Sequence, residues 1–197
     1  MNNYGKRIIL ASASPRRKEL LAQIGMDFEV ISSRAEEKTE CTEPSGIVLE
    51  LSRLKARDVF AGLSEKEKRN ALVIGADTIV SCEGRIMGKP GSPERAYEML
   101  RALQGKTHQV YTGVALVWQD GESSFSERTD VTMFPMTPEE TQSYVATGEP
   151  LDKAGAYGIQ GRCAAYIREI AGDYYNVVGL PVGRLCQEMK RAFEKKL

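Results

Sequence analysis

Short apolar runs alternate with helical spacings along this chain. Arg7 to Ala11 predicts a first strand, Leu20, Leu21 and Ile24 recur at the spacing of a helix that Gly25 stops, and Phe28 to Ile31 predicts a second strand. Glu36 to Ser45 is polar and reads as a loop, after which Ile47, Leu51 and Leu54 mark one face of a helix reaching about Phe60. A polar stretch, Leu63 to Asn70, leads into Ala71 to Ala76, an almost continuous apolar run of the kind shown by a strand covered on both faces. Asp77 and Thr78 are predicted to end it. Ser92-Pro93 and Thr137-Pro138 each place a capping hydroxyl before a proline suited to the first helical position, and Thr137 with Glu140 completes a capping box. Between these helices, Val110 to Trp118 and Phe125 to Phe134 flank Asp120-Gly121 and predict a β-hairpin. A last helix carries Leu185, Met189 and Phe193.

This alternation predicts an α/β fold with a mainly parallel or mixed sheet. At 197 residues the chain exceeds the usual domain size of ~100 to 150 and falls short of two, so one domain with a cleft is expected over 1–197. Charge changes the picture more than size does. With 27 basic against 27 acidic side chains the net charge is zero, which argues against broad nucleic-acid or membrane binding. Any anion site must then be local. Cys41, Cys82, Cys163 and Cys186 form no paired motif, and the solitary His108 is not beside them, so neither a zinc site nor a disulfide frame is expected. The N-terminus lacks a signal-peptide pattern, and no apolar run approaches the ~20 residues that span a bilayer, so a cytoplasmic location is expected.

The most informative segment is Ser12-Ala13-Ser14-Pro15-Arg16-Arg17. Ser14 is a natural N-cap and Pro15 a natural first residue for the helix holding Leu20. Arg16 and Arg17 then oppose the positive helix end, at a cost of ~0.3 to 1 kcal/mol per charge unless an anion is bound. Backbone amides, the Ser12 and Ser14 hydroxyls and two guanidiniums make a phosphate cradle. Composition alone fits a surface loop with solvated arginines equally well, and the Walker pattern is absent.

Asp77, at the predicted end of a buried strand, occupies the position where open α/β sheets place ligand-binding groups. With Lys89 of Gly88-Lys89-Pro90 it suits magnesium and phosphate chemistry, although an ordinary turn explains both as readily. Glu37 offers a second metal-binding carboxylate, Lys55 lies beside the Leu51 and Leu54 face, and His108 reads as a polar strand residue. Gly148 to Gly161 holds four glycines, which permit unusual backbone angles and close ligand approach. In that segment Gln160 carries both the donor and the acceptor that reading a base edge requires.

Taken together, SASPRR at Ser12 to Arg17, GADT at Gly75 to Thr78, GKP at Gly88 to Pro90, Thr107-His108-Gln109-Val110, GEPLDKAGAYGIQG at Gly148 to Gly161 and GDYYNVVGLP at Gly172 to Pro181 give a strong resemblance. Along nearly its whole length the sequence resembles the Maf (septum-formation inhibitor) family of nucleoside triphosphate pyrophosphatases. The resemblance implies a long mixed β-sheet flanked by helices, with two lobes around a central cleft. It also implies hydrolysis between the α and β phosphates, giving a nucleoside monophosphate and pyrophosphate. Asp77 matches the family's proton acceptor and Glu37 a carboxylate associated with metal and water, the metal being Mg²⁺ or Mn²⁺ held by Glu37 and Asp77. Arg17, Lys55 and Lys89 match its cationic phosphate ligands, Lys89 counting with Asp77 and Glu37 as catalytic, and Ser12 and Ser14 complete the cradle. Arg16, Thr78 and Gln160 look like the positions of the subgroup acting on dTTP and UTP. Acceptance of modified pyrimidines stays open. The resemblance further implies a homodimer. The alternative is a largely non-catalytic, nucleotide-binding regulator of cell division.

Overall fold

Residues 4–194 are described in a computed structural model, a mixed α/β architecture built on a seven-stranded sheet. The strands are β1 (Arg7–Leu10), β2 (Glu29–Val30), β3 (Ala71–Cys82), β4 (Arg85–Met87), β5 (Thr107–Trp118), β6 (Gly121–Met133) and β7 (Ile167–Ala171). Their order is β2-β1-β3-β5-β6-β7, with β4 beside β3. β1 pairs parallel to both β2 and β3, whereas β3 with β4 and β6 with β7 are antiparallel. The helices are α1 (Pro15–Gln23), α2 (Pro44–Ala61), α3 (Glu65–Lys68), α4 (Pro93–Leu103), α5 (Pro138–Val145), α6 (Tyr174–Val178) and α7 (Val182–Glu194). The expected sheet with flanking helices is present.

The chain divides into two compact units. One comprises the described residues up to Asp77, Thr112–Glu127 and those from Gly179 onward. Its core joins Ile9, Val73 and Ala71 of the parallel strands, and Ala11 just after β1, to Ala56, Val59 and Leu63 of and after α2, with Ala115 and Val117 of β5. Helix α2 lies against the strands so closely that glycine is required beneath it. A Cβ on Gly75 would stand 2.2 Å from the Ser52 carbonyl oxygen and 2.8 Å from the Ala56 nitrogen. On Gly113 it would stand 2.2 Å from the Val48 carbonyl oxygen. In α7, Leu185 and Met189 are buried and Phe193 packs edge-on to Trp118 at 5.2 Å, so this apolar face is covered within the protomer.

The other unit comprises Thr78–Tyr111 and Arg128–Val178. Ser92 accepts from the Arg95 amide to start α4, and Thr137 and Glu140 form the predicted capping box of α5. The Gly148-to-Gly161 segment is not an open loop. It folds into short 3-10 turns at Glu149–Asp152 and Ala154–Ala156 and continues into a third at Arg162–Tyr166. Among the described residues no helix is long and apolar enough to cross a membrane.

Three expectations change. Asp77 does not end its strand: β3 runs on through Thr78, Ile79 and Val80 to Cys82, because these β-formers continue the ladder to β4. What ends nearby is β1, whose pairing with β3 stops at Leu10 opposite Ile74. Ser14 occupies the N-cap position of α1, but its side chain makes no capping hydrogen bond there. The polar stretches are also more ordered than their composition predicts. α2 already begins at Pro44, and Ser64 with Glu67 caps the short α3.

Candidate active site

The first unit gathers five of the sequence-predicted residues. β1 ends at Leu10, and the chain turns through Ser12 into α1 at Pro15. Ser12 is buried, and its hydroxyl oxygen accepts from the Ser14 amide at 3.3 Å and from Arg17 Nη1 at 3.0 Å. Arg17 also donates from Nη1 to the Ala76 carbonyl at 2.9 Å and from Nε to the Gly179 carbonyl at 2.8 Å. It is therefore no solvated surface arginine. It ties the turn after β1 to the middle of β3 and to the approach to α7. Burial lowers its pKa, the Asp77 carboxylate opposing that shift and the Arg16 charge adding to it.

Lys55, on α2, completes the group. Its ammonium donates to Asp77 Oδ1 at 2.7 Å and lies 3.0 Å from Glu37 Oε2. The Lys55 and Asp77 side chains are 12% and 11% exposed, whereas Glu37, on the loop before α2, is 54% exposed. Two carboxylates thus converge on one cation, the first inside the protein and the second reaching in from its surface. The helix register explains the delivery. Ala56 packs beside Gly75, and its neighbour Lys55 arrives at the carboxylate two residues further along β3.

The second unit holds three more candidates. Thr78 is half-buried on β3, Lys89 is exposed in the turn after β4, and Gln160 is exposed between the second and third 3-10 turns. The Gly88 carbonyl beside Lys89 accepts from the Gly155 amide at 3.1 Å, which fixes that turn against the glycine-rich segment. Arg16 and Ser14, in the first unit, are half-buried at the start of α1. His108 is fully buried and bonds through Nε2 to the Tyr157 hydroxyl at 2.8 Å, a support for the core. Sequence reasoning missed the Ala76 and Gly179 carbonyls that orient Arg17, and no side-chain signal marks them.

The family model described as Maf-like protein matches residues 7–192. The chain belongs to the Maf family. Among relatives in it, the dTTP/UTP pyrophosphatase of Agathobacter rectalis is 52% identical over 198 residues, covering 94% of this chain and 97% of that protein. That of Bacillus cereus strain AH820 is 51% identical over 187 residues, covering 94% and 95%. The structure of the Staphylococcus aureus Ham1 protein aligns at a TM-score of 0.45 and 17% identity, over 65% of this chain and 72% of that one.

A divalent cation is implied by this family. Among the described residues no group of three or more His, Cys, Asp and Glu is placed to hold one. The pair formed by Glu37 and Asp77 nevertheless fits a hard cation, because both carboxylates already face one positive charge on Lys55. Mg²⁺ in particular takes one or two carboxylates and completes its shell with water and phosphate oxygens.

Proposed function

We propose that this Maf-family chain is a nucleoside triphosphate pyrophosphatase acting on dTTP and UTP, releasing the nucleoside monophosphate and pyrophosphate. The observation that carries the assignment is the Lys55–Asp77 pair with Glu37 at its edge, beside the Arg17-braced turn after β1. The extent and degree of identity to proteins named dTTP/UTP pyrophosphatases supports the substrate class.

Each residue has a task in this reading. Asp77 accepts the proton of the attacking water, so that the water oxygen bonds to phosphorus as the bond to the leaving pyrophosphate breaks. Lys55 keeps the Asp77 carboxylate oriented and, with Arg17 and Lys89, offsets phosphate charge. Ser12, Ser14 and the amides at the start of α1 receive phosphate oxygens. A divalent cation, Mg²⁺ or Mn²⁺, held by Glu37 and Asp77 would supply further neutralisation of the triphosphate. Arg16, Thr78 and Gln160 select the pyrimidine, with modified pyrimidines such as 5-methyl-UTP as candidate substrates. Residues 1–197 act as one Maf-like domain. The free thiols of all four cysteines suit a cytoplasmic location, and a homodimer is retained as the family expectation.

The test is product analysis with dTTP. Orthophosphate should appear only after inorganic pyrophosphatase is added, and its direct release would overturn the assignment. Asp77→Asn should lower kcat by about 10²- to 10⁴-fold; because it also leaves the Lys55 ammonium buried without this partner, the thermal midpoint should fall as well, and turnover is read at a temperature where the variant stays folded. Unaltered turnover would remove Asp77 as the base.

A further inference from the structure

Gln160 is exposed, yet the backbone on either side of it is held by residues that have no task in the reading above. Glu149 opens the first 3-10 turn of the glycine-rich segment, and its carboxylate reaches back across the fold of the chain. Oε1 accepts from the Tyr144 hydroxyl at 2.9 Å, and Oε2 accepts from the Arg162 amide at 3.1 Å. The Tyr144 oxygen in turn accepts from the Gly158 amide at 3.2 Å. Gln160 therefore lies midway between two anchored amides, two residues after Gly158 and two before Arg162.

The anchor is itself fixed. Tyr144 is buried on α5, whose start carries the Thr137 and Glu140 capping box. The glycines confirm how tightly the segment is wrapped. A Cβ on Gly161 would stand 2.0 Å from Glu149 Oε1 and 2.4 Å from Cδ, and one on Gly158 would stand 2.7 Å from Lys153 Cε. Lys153 donates to the Glu149 carbonyl at 2.7 Å. Gly158 and Gly161 thus make room for Lys153 and Glu149. The Gly155 amide is bonded separately to Gly88, so the Lys89 turn is held independently of Glu149.

We propose that Glu149, acting with Tyr144, is a positioning residue for base selection: it fixes the backbone on both sides of Gln160 and so sets where that amide meets the pyrimidine. The proposal rests on the reading of Gln160 as a base-selecting residue. It assigns Glu149 an effect on KM and selectivity and leaves the chemical step alone.

Kinetics with dTTP, UTP and dATP test it. Glu149→Ala should raise KM for dTTP and UTP about tenfold or more, erode discrimination against dATP by a similar factor and leave kcat within about threefold. Combining it with Gln160→Ala should add less than about twofold, because both remove the same interaction. Glu149→Gln should restore most of the loss, since its amide accepts from Arg162 and donates to Tyr144. Tyr144→Phe, which removes only the phenolic oxygen, should reproduce part of the effect and serves if Glu149→Ala does not fold. Equal losses for dTTP and dATP, or multiplicative effects of Glu149→Ala and Gln160→Ala, would overturn the proposal. Amide exchange over 157–163 separates it from the assignment of activity. Unchanged exchange in Glu149→Ala sinks the positioning role, whereas a wild-type protein inert toward dTTP and UTP sinks the function alone.

Discussion

Lys55 Nζ lies 2.7 Å from Asp77 Oδ1, and each side chain is about nine-tenths removed from solvent. A charge pair in such a setting is stabilising only while both members are present. Removing one leaves the other buried without compensation, and that costs more than the intact pair contributes. Here the same ammonium also faces Glu37, so it separates two carboxylates that would otherwise repel.

Lys55→Gln should therefore weaken both fold and function. Stability should fall by about 1 to 3 kcal/mol in urea unfolding, and kcat/KM for dTTP should fall by about a hundredfold. A variant with wild-type stability would show that the pair is not coupled to the fold.

Gly75→Ala tests how Lys55 is delivered. The added methyl meets backbone atoms of Ser52 and Ala56, which cannot rotate aside. Overpacking of this kind costs about 1 to 3 kcal/mol or more, and moving α2 outward also draws Lys55 from Asp77. Thermal unfolding and dTTP turnover should both decline. Retained activity at reduced stability would separate the packing of α2 from its catalytic placement.

Chelation addresses the cation. EDTA should abolish dTTP hydrolysis and excess Mg²⁺ or Mn²⁺ restore it, while Glu37→Gln should raise the metal concentration for half-maximal activity about tenfold, because charge count sets the affinity of such sites. Full activity in EDTA would remove the metal from the mechanism.

His108 makes a prediction about acid. Burial holds its pKa down to about 4 from the ordinary 6.5, with Asp130 opposing, and among the described residues Nδ1 has no hydrogen-bond partner. The folded state thus resists a proton that the unfolded chain takes up readily. Its contribution is complete above pH 6.5, declines as pH falls from 6.5 toward 4 and amounts to about 3 kcal/mol. His108→Gln keeps an acceptor or donor for Tyr157 and cannot titrate. Its stability relative to wild type should rise by that amount between pH 7 and pH 4, as read by urea unfolding at each pH. A constant difference would refute the shift.

Local signals were legible where the cause is local. Pro15, Pro93 and Pro138 mark helix starts because a missing amide does no harm there, and Thr137 with Glu140 reports a cap that needs no distant partner. Asp77 shows the opposite. Its polarity reads as the end of a strand, yet the end belongs to β1, and where β1 stops opposite Ile74 is a property of the sheet. The engagement of Arg17 with the Ala76 and Gly179 carbonyls is equally invisible, since carbonyls carry no residue identity. Glu149 and Gly158 lie within the Gly148-to-Gly161 segment, but the brace joins them to Tyr144 and Arg162 outside it, through a turn whose path no periodicity predicts.

Gly75 and Gly113 touch α2 at Ser52 and Ala56 and at Val48, positions four residues apart along one stripe of the helix. A rod held at two separated points can neither slide along its axis nor roll about it. Lys55 consequently has one arrival point, fixed with backbone tolerance and not with the looser tolerance of interlocking side chains. The helix works as a machinist's jig, and its two glycine seats set the lysine's address in the sheet.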